Sequence, residues 1–165
     1  MEREFNGKKI KYEEGKLWFW REICGKQKLK NPDWYELKGG VHKSTGYRRV
    51  SINNKNYLYH RVVYFLHNEN WKIHDNSRDN LIDHIDRDKL NNNIENLRVV
   101  TNQQNAWNQN RKGYTFNKRD GKYMARIKVD GKKKHLGCFE NEDDARNAYL
   151  NAKAIHHRIP QANPL

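Results

Sequence analysis

The longest unbroken apolar run in this chain is five residues, Val62-Val63-Tyr64-Phe65-Leu66. A bilayer-spanning helix needs about 20 such residues, so none is expected here. A run this short also seeds only a thin core. Hydrophobic residues make up 35% of the 165, and charged residues 32%. One large interior is therefore excluded, and two or three modest modules are expected. Five Trp, nine Tyr and five Phe supply bulky anchors that disordered chains lack.

Thirty-three Lys and Arg stand against 20 Asp and Glu, a formal net charge of +13. Such an excess costs self-repulsion and implies a polyanionic partner, most simply nucleic acid. A membrane surface is the other polyanion, but no basic stretch carries a clean apolar face. The opening residues, Met1 to Ile10, contain no hydrophobic signal segment, so the expected setting is cytoplasmic. Cys24 and Cys138 are too far apart for a zinc clip and too few for a disulfide framework. The 22 Asn match the codon bias of an AT-rich genome, apart from those in the motif below.

Charge and pattern divide the chain into three. Residues 1–46 alternate basic and aromatic residues between turn signals at Glu14-Gly15 and Gly39-Gly40, a β-rich segment. Residues 47–110 open with a hairpin, Tyr47–Ile52 and Asn56–Tyr59 about Asn53-Asn54-Lys55. A helix from His60, short strands at Leu81–Ile85 and Leu97–Val100, and a helix capped by Thr101 with Gln104 follow. Residues 111–165 alternate strictly over Tyr123–Val129, turn at Asp130-Gly131, and end in a helix after Asn141 carrying Ala145, Ala148, Tyr149 and Ala152 on one face. The expected fold class is α+β.

The chemistry-bearing residues cluster in the middle segment. Cutting a phosphodiester needs a base to activate water and a cation to stabilise the phosphorane. Asp83-His84 offers a carboxylate and an imidazole; Asn96 follows thirteen residues after Asp83, and Asn105 nine later. That spacing resembles the HNH endonucleases of phage homing type. The resemblance includes His60-Arg61-Val-Val and the run Asp-x-x-x-Asn-Asn-x-x-Asn-Leu-Arg-x-Val-Thr from Asp88 to Thr101. It implies a ββα-metal (His-Me finger) core in which His84 is the general base and Asn96 holds the loop and orients His84. Asp83 and Asn105 would ligate one Mg²⁺ (or Mn²⁺). Many HNH enzymes place a second His where Asn105 stands, so loose metal binding and slow turnover are expected. Asp86-x-Asp88 is not a calcium loop, because the Gly and Glu that such a loop needs are missing. His60 reads as structural, and His156-His157 as a polar helix end.

Between Arg111 and Lys134 stand ten basic and two acidic residues. The alternation sends Arg126 and Lys128 to the face opposite Ala125 and Ile127, with Lys118, Arg119, Lys133 and His135 on adjacent strands or turns. Gly121-Lys122-Tyr123, Leu136-Gly137-Cys138-Phe139 and Ala145-Arg-Asn-Ala-Tyr149 resemble the apetala/ethylene-response-factor DNA-binding domain, a three-stranded sheet on one helix. Asp120 stands where plant members carry Trp, so contacts there do not transfer.

Together these features predict a metal-dependent endonuclease, a monomer or homodimer, cutting double-stranded DNA with no small-molecule cofactor. The competing readings are a non-catalytic DNA-binding regulator on a nuclease fold, and a restriction or structure-specific nuclease.

Overall fold

A computed structural model describes residues 1–24 and 27–161; the side chains of residues 23–30 are not described. The side chain of Cys24 therefore lies outside the described set, and Cys138 is exposed. Two compact units divide between Thr101 and Asn102, the second ending at Pro160.

The first unit begins with a four-stranded antiparallel meander, β1 (Glu2–Phe5), β2 (Lys8–Glu13), β3 (Lys16–Cys24) and β4 (Gln27–Glu36). A second sheet joins β5 (Gly40–Val41), β6 (Arg48–Ile52) and β7 (Lys55–Leu58). Its β6–β7 turn is Asn53-Asn54, both at positive φ (50° and 62°), the conformation two-residue hairpins need and Asn tolerates. Helix α1 (Tyr59–His67) follows directly, and β8 (Leu81–His84) pairs antiparallel with β9 (Leu97–Val100).

One core unites these parts. Phe5, Ile10 and Leu17 from the meander meet Val50 and Ile52 from the second sheet and Val62, Val63 and Leu66 from α1. The apolar run thus supplies the centre of the unit, and the Tyr59 hydroxyl accepts the Leu17 amide at 2.8 Å. Residues 1–46 and 47–101 form one compact unit with a shared core, while residues 102–110 group with the C-terminal segment. Arg61 ties down the loop after α1: its guanidinium donates to the carbonyls of Ile73 (2.6 Å), Asp75 (2.9 Å) and Asn80 (3.3 Å) and lies over the Trp71 ring.

The second unit holds α2 (Asn102–Asn108), the antiparallel sheet β10 (Tyr114–Asn117), β11 (Lys122–Val129) and β12 (Lys132–Phe139), and α3 (Glu142–His156). Ala125 and Ile127 of β11 and Ala145, Tyr149 and Ala152 of α3 are buried. Ala148, expected on the same stripe, is half-buried. Gly113 (φ +81°) permits this packing: a Cβ there would lie 1.9 Å from Cγ of Tyr149. Asn141 caps α3, its side-chain oxygen accepting the Asp144 amide at 2.8 Å. Asp130-Gly131 turns β11 into β12, both residues at positive φ.

Among the described residues, no helix is long and apolar enough to cross a membrane.

Candidate functional site

The β8–β9 ribbon sets Asp83 directly opposite Arg98 and His84 opposite Leu97. Period-2 alternation then gives the adjacent acid and imidazole different surroundings. Nε and Nη2 of Arg98 donate to Asp83 Oδ2 at 2.9 and 2.8 Å, and both side chains are only 7% exposed. A charge-assisted pair this buried fixes the carboxylate firmly.

His84 is buried at the end of β8. Its Nε2 lies 3.1 Å from Asn92 Oδ1. Asn92 Nδ2 donates to the Leu90 carbonyl at 3.0 Å, which leaves the amide oxygen facing the ring. A neutral His84 therefore carries its proton on Nε2 and donates it to Asn92. His60, from the first turn of α1, packs edge-on against His84 with centroids 4.9 Å apart and planes at 79°. Tyr47 lies 5.1 Å from the His60 ring and 6.0 Å from that of His84. Lys89 sits over Tyr47 at 4.8 Å and donates to the Thr45 carbonyl at 2.9 Å, closing the rim.

His60 is 4% exposed, and its Nδ1 is buried without a hydrogen-bond partner. Burial, followed by the charges of His84 and Arg61, pushes its pKa down to about 3. It is neutral under any physiological condition. Burial, with the nearby Asp83 charge, raises the Tyr47 hydroxyl above its ordinary value.

Asn96 binds the ends of the loop between β8 and β9. Its Nδ2 donates to Asp86 Oδ1 (2.9 Å) and the Asn91 carbonyl (2.8 Å), and its Oδ1 accepts the Asp86 amide (3.0 Å). The Asn96 carbonyl accepts the amide of Ile85, the residue after His84, at 2.9 Å. Burial opposes ionisation of Asp86, but hydrogen bonds from Asn91, Asn96 and the Asp88 amide outweigh it and hold the carboxyl below its usual range. Asp86 and Asp88 thus serve as turn acceptors, each bonded to the amide two residues on.

Asn105 lies on α2, half-buried, in the second unit. The expected DNA-facing residues fall into two groups on that unit's sheet. Arg126 pairs across with His135 and Lys128 with Lys133, all four exposed. A register shift between Ala125 and Arg126 skips Leu136, which is why His135 and Lys133 stand opposite Arg126 and Lys128. Lys118 and Arg119 occupy the β10–β11 turn, where Arg119 pairs with Asp120 at 3.1 Å.

Among the described residues, no three His, Cys, Asp or Glu side chains converge as a ready-made metal cage. By chemistry alone, a carboxylate such as Asp83 and an amide such as Asn105 are oxygen donors of the kind hard divalent cations take.

Three residues of this site had no role from sequence alone, Tyr47, Asn92 and Arg98; His60, read as structural, packs against His84. The Asn91-Asn92-Asn93 run and Arg98 lay inside the motif. Aligning Leu81–His84 against Leu97–Val100 would have exposed the Asp83–Arg98 pair.

Residues 57–107 match the HNH endonuclease family. A Bacillus subtilis (strain 168) protein named "SPbeta prophage-derived putative HNH homing endonuclease YosQ" is 34% identical over 82 residues, 48% of this chain. The chain spans 43% of that relative's length. No solved structure matches the chain.

Proposed function

We propose that the protein is a divalent-metal-dependent DNA endonuclease of prophage homing type, hydrolysing a phosphodiester at a specific duplex site. The observation that carries this is His84, buried and oriented by Asn92 within the stretch that matches the HNH endonucleases. Residues 47–110 form the cutting segment. Residues 111–165 form a reader resembling the apetala/ethylene-response-factor domain, and residues 1–46 supply a β-rich flank.

His84 removes a proton from the attacking water, while Asn92 holds the ring and Tyr47 and His60 wall it in. Asn96 keeps the loop closed beneath it. Asp83 and Asn105 would hold the cation, with Arg98 fixing the Asp83 carboxylate. When bound, the cation stabilises charge on the phosphate and the leaving 3′ oxygen. The products are a 5′-phosphate and a 3′-hydroxyl. Arg126, Lys128, Lys133 and His135, with Lys118 and Arg119, contact the duplex; Arg can address guanine edges, and Lys adds phosphate charge.

The test is supercoiled plasmid carrying host or prophage DNA, incubated with Mg²⁺, with EDTA, and with His84→Ala. Open circles or linear product that vanish with EDTA and with the variant are expected. The loss should be on the order of 10²–10⁴ in rate, with binding retained. Loss of binding in His84→Ala would remove its assigned role. Absence of cutting alongside salt-sensitive binding to the same DNA would favour the non-catalytic regulator. Asn105→Ala should raise the Mg²⁺ concentration for half-maximal rate, and an unchanged titration would exclude it as a ligand.

A further inference from the structure

Strand β10 is four residues long and pairs with only the first half of β11, Lys122–Ala125. Among the described residues no strand lies beside the second half of β11 on that edge; the Gly113 carbonyl accepts the Arg126 amide at 2.9 Å, and the pairing goes no further. The notch so formed opens a groove of about 750 Å³, bounded by α2, the edge of β10 and the second half of β11. Arg111, Arg126, Lys128 and Lys133 line it, and among the described residues no carboxylate does.

These cations differ from others in the unit. Lys122 pairs with Glu140 at 2.8 Å and Arg119 with Asp120 at 3.1 Å. Among the described residues, none of the four in the groove has a carboxylate partner. The Arg111 guanidinium donates to the neutral Gln109 amide oxygen (2.9 and 3.2 Å), and the Arg126 guanidinium to the Met124 sulfur. Lys128 and Lys133 stand directly opposite each other across the sheet, a like-charge pair that costs the folded unit stability unless an anion relieves it. The walls are built to keep this shape: Trp107 of α2 stacks flat on His157 at 4.6 Å and 8°, and His157 Nε2 donates to the Lys128 carbonyl at 3.0 Å. Lys153 and Arg146 of α3 bond to the carbonyls of Gln109 and Lys112, which fastens the segment carrying Arg111.

We propose that this groove holds the sugar–phosphate backbone of one DNA strand, with Arg111 as a phosphate contact beyond those on the sheet face. The inference rests on the reading of this unit as a DNA binder and adds a second wall to the contact. A groove floored by the sheet and flanked by α2 grips a strand from the side while the outer residues of β11 and β12 face the duplex. Phosphate contacts set register and carry no sequence information, so Arg111 should serve every DNA sequence alike.

The experiment is fluorescence anisotropy of a labelled duplex of about 30 base pairs, in cognate and scrambled sequence. Salt is varied from about 50 to about 200 mM for the full-length wild type, Arg111→Ala and Arg111→Lys. Losing one phosphate contact should flatten the slope of log affinity against log salt by about 0.9, equally for both sequences. Arg111→Lys should recover most of the slope, because it keeps the charge. An unchanged slope in Arg111→Ala overturns the inference, as does failure of Arg111→Lys to recover it. Inorganic triphosphate binding the wild type more tightly than duplex would assign the groove to a free polyphosphate and overturn the strand. A wild type with no salt-dependent binding would sink the DNA reading itself and this inference with it.

Discussion

His60 makes the stability of the first unit depend on pH in a defined window. The unfolded chain takes up a proton on this histidine near its ordinary value of 6.5, whereas burial in the folded protein delays uptake to about 3. Above about pH 6.5 neither state is protonated at His60, and it contributes no slope. Between about 6.5 and 3 the unfolded state binds the extra proton, so stability falls as the pH drops. At about 1.4 kcal/mol per unit, the whole window is worth roughly 4–5 kcal/mol, and the part from pH 7.5 to 5 roughly 2 kcal/mol.

His60→Phe isolates this contribution, because a ring remains but cannot titrate. The assay is urea unfolding of wild type and variant at about pH 7.5, 6 and 5. Four of the five tryptophans, Trp18, Trp20, Trp34 and Trp71, lie in the first unit, so fluorescence reports mainly on it. The absolute gap at pH 7.5 combines a lost orphan nitrogen with an altered ring, and does not decide the matter. Its change does: the variant should gain roughly 2 kcal/mol on wild type between pH 7.5 and 5. A gap constant across that range would refute the reasoning, since His60 would then titrate alike in both states.

Breaking the Asp83–Arg98 pair from one side should be costly. Arg98→Met removes the guanidinium that bonds the buried Asp83 carboxylate and should lose about 3–5 kcal/mol in urea unfolding, while Asp83→Leu combined with Arg98→Met should lose less than that single variant. Gly113→Ala forces a Cβ into Tyr149 at a left-handed backbone position and should cost roughly 2–4 kcal/mol, read as lost hydrogen-exchange protection in β11. Asn141→Ala removes the cap of α3 and should cost about 1 kcal/mol in thermal unfolding, while Asn141→Asp keeps the cap oxygen but faces the Asp144 carboxylate, to which Asn141 Nδ2 donates at 2.7 Å, and should fall below wild type.

Local chemistry made most elements legible. Asn-Asn and Asp-Gly turns, the alternation over Tyr123–Val129 and the Asn141 cap each depend on residues a few positions apart, and the structure has them where the sequence put them. The way the elements group was not legible. Phe5, Ile10 and Leu17 are spaced like any half-buried strand residues, and nothing local says that their partners are Val62 and Val63, some fifty residues on. The chain's low apolar content predicted thin cores, but the same scarcity makes the meander and α1 share one. Likewise α2, contiguous with β9 in sequence, groups with the C-terminal unit through Trp107 and the clasps from α3.

The site shows the same division between spacing and surroundings. Spacing singled out Asp83, His84, Asn96 and Asn105 because the chemistry needs an acid, a base and oxygen donors. Beyond Asn96, which the resemblance cast as holding the loop and orienting His84, it was silent on what supports them, because that support comes through contacts that the chain makes only after folding. Asn92 earned no attention among three consecutive asparagines, yet its two bonds decide which nitrogen of His84 carries the proton. His60 looked like a helix-start residue, and it is one. It is also the wall against which His84 rests, at the cost of a buried nitrogen without a partner. A polar atom left unbonded beside a base costs the fold about 1–3 kcal/mol. Leucine or phenylalanine would fill the same space without that cost, so packing alone does not account for an imidazole at position 60. His60→Asn, which keeps a polar atom near the Nδ1 position, against His60→Phe separates the two possibilities. If the imidazole serves the reaction through Nδ1, the cleavage rate should survive in the first and fall in the second at equal DNA affinity. Equal rates would leave His60 as wall alone.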